Sequence, residues 1–342
     1  MLSEILEQPA VLVAVEAKNK AVLEQLTCVL KKRNVTHAVL AGRGTSDHAC
    51  VYGQYMLGTY PGIVAAQGIP SCVTLYNGRL DLSGAAVVGV SQSGKAADAL
   101  ALLERGRGQG AVTVAITNDA ASPMAGAAEF HLDCSAGPEL SVAATKTFTA
   151  QLYLFGLLAG YLAEDEGLLT ALRELPGRCP DILDAARRAA EARAPEFCGM
   201  KDGFVLSRGF CYPVALEAAL KIQETCYIKI KGHAVSDFYH GPMAQMEPET
   251  PVILFAGRGA AFADSAAMLA RLEQIGAKPL VVTDDQDLAG THNGVLLPGA
   301  GMEAAGVFAY AFFAQCFAQA LSVSLGLDPD KPRLLNKVTV TR

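Results

Sequence analysis

The chain has 342 residues, is 51% hydrophobic and only 18% charged, and so has enough apolar material for two cores. Its net charge of −6 (28 − 34) argues against a nucleic-acid-binding protein, because basic patches supply most of that affinity. Nine cysteines without a C-x-x-C pair read as reduced thiols of a cytoplasmic protein, and the six histidines lack metal-ligand spacing.

Short β-branched runs alternate with longer helical patterns, which predicts an α/β fold with doubly wound, mostly parallel sheets. The opening MLSEILEQP lacks the basic-then-apolar layout of a signal peptide. Ala38-Val39-Leu40 reads as a strand running into Gly42-Arg43-Gly44-Thr45-Ser46. Ala85 to Val90 reads as a second strand, entering the turn Ser91-Gln92-Ser93-Gly94 and a helix from Ala96 to Arg105. Val112 to Ile116 follows as a strand, and then a long apolar helix ends at Ala163. That helix is short for a membrane span and contains Thr149, Gln151 and Gly156, so it reads as a core helix. Asp165 to Ala194 is charged, alanine-rich and interrupted by Pro176 and Pro180, as in a helical linker.

The series then starts again. Phe204-Val205-Leu206 enters Ser207-Arg208-Gly209, and Val252 to Phe255 enters Gly257-Arg258-Gly259. Leu280 to Asp285 parallels Val112 to Asp119, and a second long apolar helix runs from Ala305 to Gly326. The spacing of about 166 residues is far too long for a solenoid repeat and indicates a duplicated domain. The expected boundaries are 1–165 for the first domain, 166–195 for the linker, 196–327 for the second domain and 328–342 for a tail. Two readings stay open for that tail: a loose end, or a segment packed over a site.

In open α/β sheets, ligands sit at the carboxyl ends of the strands near the switch in strand order. Gly44-Thr45-Ser46 and Ser91-Gln92-Ser93-Gly94 both fall there. Main-chain N–H groups at a helix start favour an anion, and serine hydroxyls add donors. Ordinary N-capping by serine would explain either loop alone; two such loops in one half point to a phosphate ester. The second half lacks the hydroxyls, so the first half is expected to hold the phosphate.

A helix beginning near Pro213 carries Glu217, Lys221 and Glu224 at i, i+4 and i+7, on one face. A surface ion pair is the plain alternative. The rest of this helix is apolar, however, and charges on a buried helix are costly unless paired or functional. A carboxylate there suits proton transfer between adjacent carbons of an open-chain sugar. His240 precedes Gly241-Pro242 on a turn, where a lone histidine is more often structural.

These motifs, in this order, resemble the isomerase part of glucosamine-6-phosphate synthase, built from two sugar-isomerase (SIS) domains. The resemblance covers nearly the whole chain: Glu4 to Pro9, the two serine loops, Glu139 to Thr149 (ELSVAATKTFT, with Val142 and Ala143 lining the ligand), Ala215 to Tyr227, His240-Gly241-Pro242 and Asp330 to Val340. It implies two tandem flavodoxin-like αβα domains. It also implies that Glu224 moves a proton between C1 and C2, that Glu217 and Lys221 support the site, and that Lys337 forms a Schiff base with the ketose. His240 would help open the sugar ring across a homodimer interface, giving shared active sites. Gly44, Thr45, Ser46, Ser91, Gln92 and Ser93 would bind the phosphate.

The sequence departs from the family at Lys95 and Ala96, which stand where the phosphate loop has Glu and Thr, and at Ala144, which replaces a serine. The stretch from Lys231 to Tyr239 differs as well. The sequence opens on the isomerase segment, and this chain alone is not expected to hydrolyse glutamine. The expected activity is therefore conversion of glucosamine 6-phosphate to fructose 6-phosphate and ammonia, with no cofactor, no metal, no nucleic acid and no membrane. A ketose–aldose phosphosugar isomerase, a fructosamine-6-phosphate deglycase and a non-catalytic sugar-phosphate-binding module are the alternatives.

Overall fold

The computed structural model describes residues 1–292 and 294–337, and the chain divides into two compact units. The first-half unit runs from Glu7 to Pro176 and takes in Asn336 and Lys337. The second-half unit comprises Met1–Leu6 and Gly177–Leu335, and so includes the short helix α1 (Leu2–Leu6).

The first-half unit opens with α2 (Gln8–Lys32) and continues with β1 (His37–Ala41), α3 (Thr45–Thr59), β2 (Val64–Gln67), α4 (Ser71–Thr74) and β3 (Ala86–Ser91). It goes on through α5 (Ala97–Gly108), β4 (Val112–Thr117), α6 (Pro123–Ala127), β5 (Phe130–Asp133) and α7 (Lys146–Ala163). The five strands form one parallel sheet in the order β2-β1-β3-β4-β5. Every residue of β3 and β4 is buried, which is why these strands read as unbroken apolar runs. Helix α7 is apolar on all sides because it is buried nearly throughout. It packs with α2 and α3, while α5 lies against β3 and β4. Val87, Leu102, Leu103 and Met124 belong to the core on the α5 side.

Helix α8 (Glu166–Arg193) contains the unit boundary. It runs unbroken through Pro176 and Pro180, although each proline removes a main-chain donor.

In the second-half unit, β6 (Asp202–Ser207) leads to α9 (Tyr212–Cys226), β7 (Lys229–Ala234), α10 (Val235–Phe238) and β8 (Val252–Ala256). Then come α11 (Phe262–Gln274), β9 (Leu280–Thr283), α12 (Gln286–Thr291), β10 (Val295–Leu296) and α13 (Glu303–Ser324). Its sheet is also parallel, in the order β10-β9-β8-β6-β7. Read from the other edge, this is the order of the first sheet. Helix α13 packs on α9, and α11 covers β8. Among the described residues α13 is long and apolar enough to cross a membrane, but it is almost wholly buried as a core helix.

Candidate functional site

In the first-half unit the two serine loops leave adjacent strands. Gly44-Thr45-Ser46 follows β1 and Ser91-Gln92-Ser93-Gly94 follows β3, and these strands pair directly. Serine N-capping does not account for either loop. The N-cap of α3 is Gly44 and that of α5 is Ala96, and neither helix start receives a side-chain capping bond. Instead Ser91 Oγ accepts from the Gly94 amide at 3.1 Å, and Ser93 Oγ accepts from the Lys95 amide at 3.4 Å. Gly94 has φ +62°, and a Cβ there would lie 2.1 Å from Ser122 Oγ, so only glycine allows this turn. Ser46 is buried and its Oγ accepts from Gln151 Nε2 at 3.1 Å. Gln92 and Ser93 are half-buried and Lys95 is exposed.

The same unit holds Lys337. Its Nζ donates to Glu139 Oε2 at 2.9 Å and to the Ser141 carbonyl oxygen at 2.6 Å. Glu139 is buried and also anchors the start of α7. Its Oε1 accepts from the amides of Thr145 (3.0 Å) and Thr147 (3.1 Å), and its Oε2 accepts from Thr147 Oγ1 at 2.9 Å. A carboxylate at a helix N-terminus satisfies orphan donors and complements the helix dipole. Val142 is half-buried and Ala143 is fully buried, one and two residues beyond the carbonyl that Lys337 engages. Tail residues 338–340 lie outside the described residues.

The second-half unit holds the charged helix. Glu217 and Lys221 are buried on α9, with Lys221 Nζ 3.4 Å from Glu217 Oε1 and in a tighter ion pair with Glu224 Oε2. Burial alone would lower the Lys221 pKa. The carboxylates of Glu217 and Glu224 outweigh that and hold it above the ordinary lysine value. Glu224 is the more exposed carboxylate of the two, at 20%. Its position can present an oxygen to a ligand while the ammonium fixes its side chain. His240 is exposed on the turn after α10, and its side chain makes no hydrogen bond among the described residues.

Thus the structure gathers the serine loops, Glu139 and Lys337 in one unit, and Glu217, Lys221, Glu224 and His240 in the other. The long-range partners of Gln151 and Lys146 were not legible in the sequence. Gln151 looked like one polar interruption of an apolar helix. Lys146 is 1% exposed and pairs with Glu7, a partner far away in sequence. No group of three or more His, Cys, Asp or Glu among the described residues could hold a metal ion.

Comparison with known proteins bears on the family and the fold. The family described as the SIS domain matches residues 30–160 and again 201–324. The isomerizing glutamine–fructose-6-phosphate aminotransferase of Aeropyrum pernix is 34% identical over 100% of this chain and 57% of its own length. That of Gloeobacter violaceus is 35% identical over 87% of this chain and 51% of its own length. The chain therefore spans about half the length of the curated relatives it matches. A solved structure of a candidate phosphosugar isomerase from Silicibacter pomeroyi is 32% identical, with a TM-score of 0.87 over 96% of this chain and 98% of that one. The C-terminal domain of glucosamine-fructose-6-phosphate aminotransferase from Francisella tularensis shares the fold at 22% identity, with a TM-score of 0.86 over 97% of both chains.

Proposed function

The chain belongs to the SIS-domain family, carrying the domain twice, and on that premise we propose that it is an amino-sugar-phosphate isomerase working as a glucosamine-6-phosphate deaminase. The observation that carries this reading is the placement of Lys337. An amine is held by Glu139 in the same unit as the two serine loops. A lysine there has a use in carbonyl–amine chemistry, whereas a plain aldose–ketose isomerisation has none for it.

In this reading the phosphate binds at Ser46, Ser91, Gln92 and Ser93, and His240 assists ring opening. Glu224 carries the proton from C2 to C1 while a second proton passes from the amine nitrogen to the C1 oxygen, so the aldehyde becomes an alcohol and the amine carbon becomes an imine. Transfer needs a carboxylate that can accept and then return one proton, and the ion pair with Lys221 orients it. The Lys337 amine adds at C2 and ammonia leaves. Water then cleaves the lysine imine to release fructose 6-phosphate. For its amine to attack, Lys337 must first give up a proton, and Glu139 is the adjacent acceptor.

The likeness to the Silicibacter pomeroyi protein favours a second reading, a phosphosugar isomerase without amine chemistry. An ammonia-release assay across hexosamine, hexose and fructosamine 6-phosphates separates the two. Ammonia from glucosamine 6-phosphate is expected. Interconversion of hexose 6-phosphates with no ammonia from any amino sugar would establish the second reading instead. Amine release from fructosamine 6-phosphate alone would make the protein a deglycase.

A further inference from the structure

The second-half unit has a switch point of its own. Its strand order repeats that of the first, so the loops after β6 and β8 stand where the serine loops stand in the first half. A cavity of about 390 Å³ lies there, lined by Cys211, Arg258, Asp284, Glu303, Tyr310 and Arg178 among others. That volume falls within the range of small-molecule sites.

The chemistry of this cavity has been inverted. In the first half the loop offers hydroxyls. Here carboxylates of the chain itself occupy the main-chain donors. The Arg258 amide donates to Asp284 Oδ1 at 2.7 Å, and the Ala260 amide donates to Glu303 Oε2 at 2.8 Å. Gly259 lies so close that a Cβ, at its φ of +146°, would sit 2.1 Å from Glu303 Oε2. A phosphate ester entering this cradle would find its donors taken and two negative charges facing it.

The side chains that remain are mostly polar, with Met302 among them. Tyr310 Oη donates to Asp284 Oδ1 at 3.0 Å. Burial, with the nearby Cys211 and Asp284, pushes the phenol well up, so it stays a protonated donor. Burial, with Glu303 and Asp284, likewise keeps Cys211 a neutral thiol. Asp284 Oδ2 and Glu303 Oε1 accept nothing among the described residues. Arg178 and Arg258 are exposed at the rim, with Arg178 donating to the Gly299 carbonyl at 2.5 Å and Arg258 Nε to Asp285 at 2.8 Å. Asp285 pairs with Arg258, so the carboxylates outnumber the guanidinium groups, which disfavours an anion. Acceptors below and donors above suit vicinal hydroxyls, each of which can donate and accept.

We propose that this cavity is a second ligand site, for an uncharged, hydroxyl-rich molecule of the size of an unphosphorylated hexose, and that it rejects phosphate esters. The proposal stands apart from the catalytic reading, because it needs neither Glu224 nor Lys337 and is read by binding rather than turnover. The test is saturation-transfer NMR of D-glucose with the full chain, in inorganic phosphate, comparing wild type with Ser91→Ala, Asp284→Asn and Glu303→Gln. Glucose is expected to bind wild type and Ser91→Ala alike, and to lose roughly tenfold or more in affinity with Asp284→Asn or Glu303→Gln, whose fold is checked by thermal unfolding. If either variant unfolds, Arg178→Gln at the rim is expected to show the same loss. Absence of glucose binding, displacement of glucose by phosphate, or a loss confined to Ser91→Ala would overturn the proposal.

Discussion

Lys337 and Glu139 stand 198 positions apart in sequence, yet the lysine ammonium donates to the buried carboxylate at 2.9 Å. The same carboxylate holds the first amides of α7. The pair thus ties the lysine amine to the carboxylate that anchors the start of α7. Lys337→Ala is expected to fold normally and to lose ammonia release by about 100-fold, the scale of a positioned catalytic group. Borohydride added with fructose 6-phosphate is expected to trap an adduct on Lys337, read by peptide mass spectrometry. A near-native rate in the alanine variant, with no adduct, would remove the Schiff-base step.

The serine loops lead to a binding prediction. Ser91→Ala and Ser93→Ala are each expected to raise KM with little change in kcat. A hydrogen bond to a charged group contributes about 1.5–3 kcal/mol, which corresponds to a change of roughly 10- to 100-fold. Gly94→Ala forces a side chain onto Ser122 and is expected to raise KM as well. Glucosamine turned over as readily as glucosamine 6-phosphate would rule out a phosphate site at these loops.

Lys221 is fully buried between two carboxylates, so the stability of the fold depends on it whatever its part in the proposed reaction. Lys221→Met leaves Glu217 buried without its countercharge and is expected to cost about 3–5 kcal/mol in urea unfolding. Adding Glu217→Gln is expected to recover part of that loss. The pH dependence has a definite sign. The folded pKa of Lys221 is raised, so its contribution is fully present below the unfolded lysine value of about 10.4 and fades as pH climbs through the folded value. The stability gap between wild type and Lys221→Met is therefore expected to be constant from neutral pH to about pH 10 and to shrink above it. A gap that does not shrink above about pH 10 would contradict the assignment.

His240 is exposed, as a residue offered to a second copy of the chain must be. If sites are shared in a homodimer, His240→Ala and Lys337→Ala chains are each inactive alone. Mixing them after unfolding and refolding is expected to restore up to about a quarter of wild-type activity, because half of the dimers are mixed and each has one intact site. No recovery in a verified heterodimer would place His240 and Lys337 of the same chain in each site.

Some of this was readable from the chain because local physics leaves a local trace. The inner strands β1, β3, β4, β6, β8 and β9 are mostly buried and announce themselves as apolar runs. The edge strands do not. Val64–Gln67 is largely exposed, Lys229–Ala234 mixes lysines with apolar residues, and Val295–Leu296 has only two residues, so none stood out. Glu217, Lys221 and Glu224 were legible because helical periodicity places them on one face whatever the rest of the chain does.

Composition, the repeated strand-and-loop series and the helical spacing determined the duplicated α/β class and picked out the serine turns and the charged helix. These properties depend on neighbours in sequence. The tertiary structure alone decided that Glu139 receives Lys337, that Gln151 supports Ser46, and that Asp284 and Glu303 fill the second-half cradle. Each of these is a hydrogen bond between residues far apart in the chain. Such a bond depends on where the two main-chain segments are carried by sheet order and helix packing, and no periodicity encodes it.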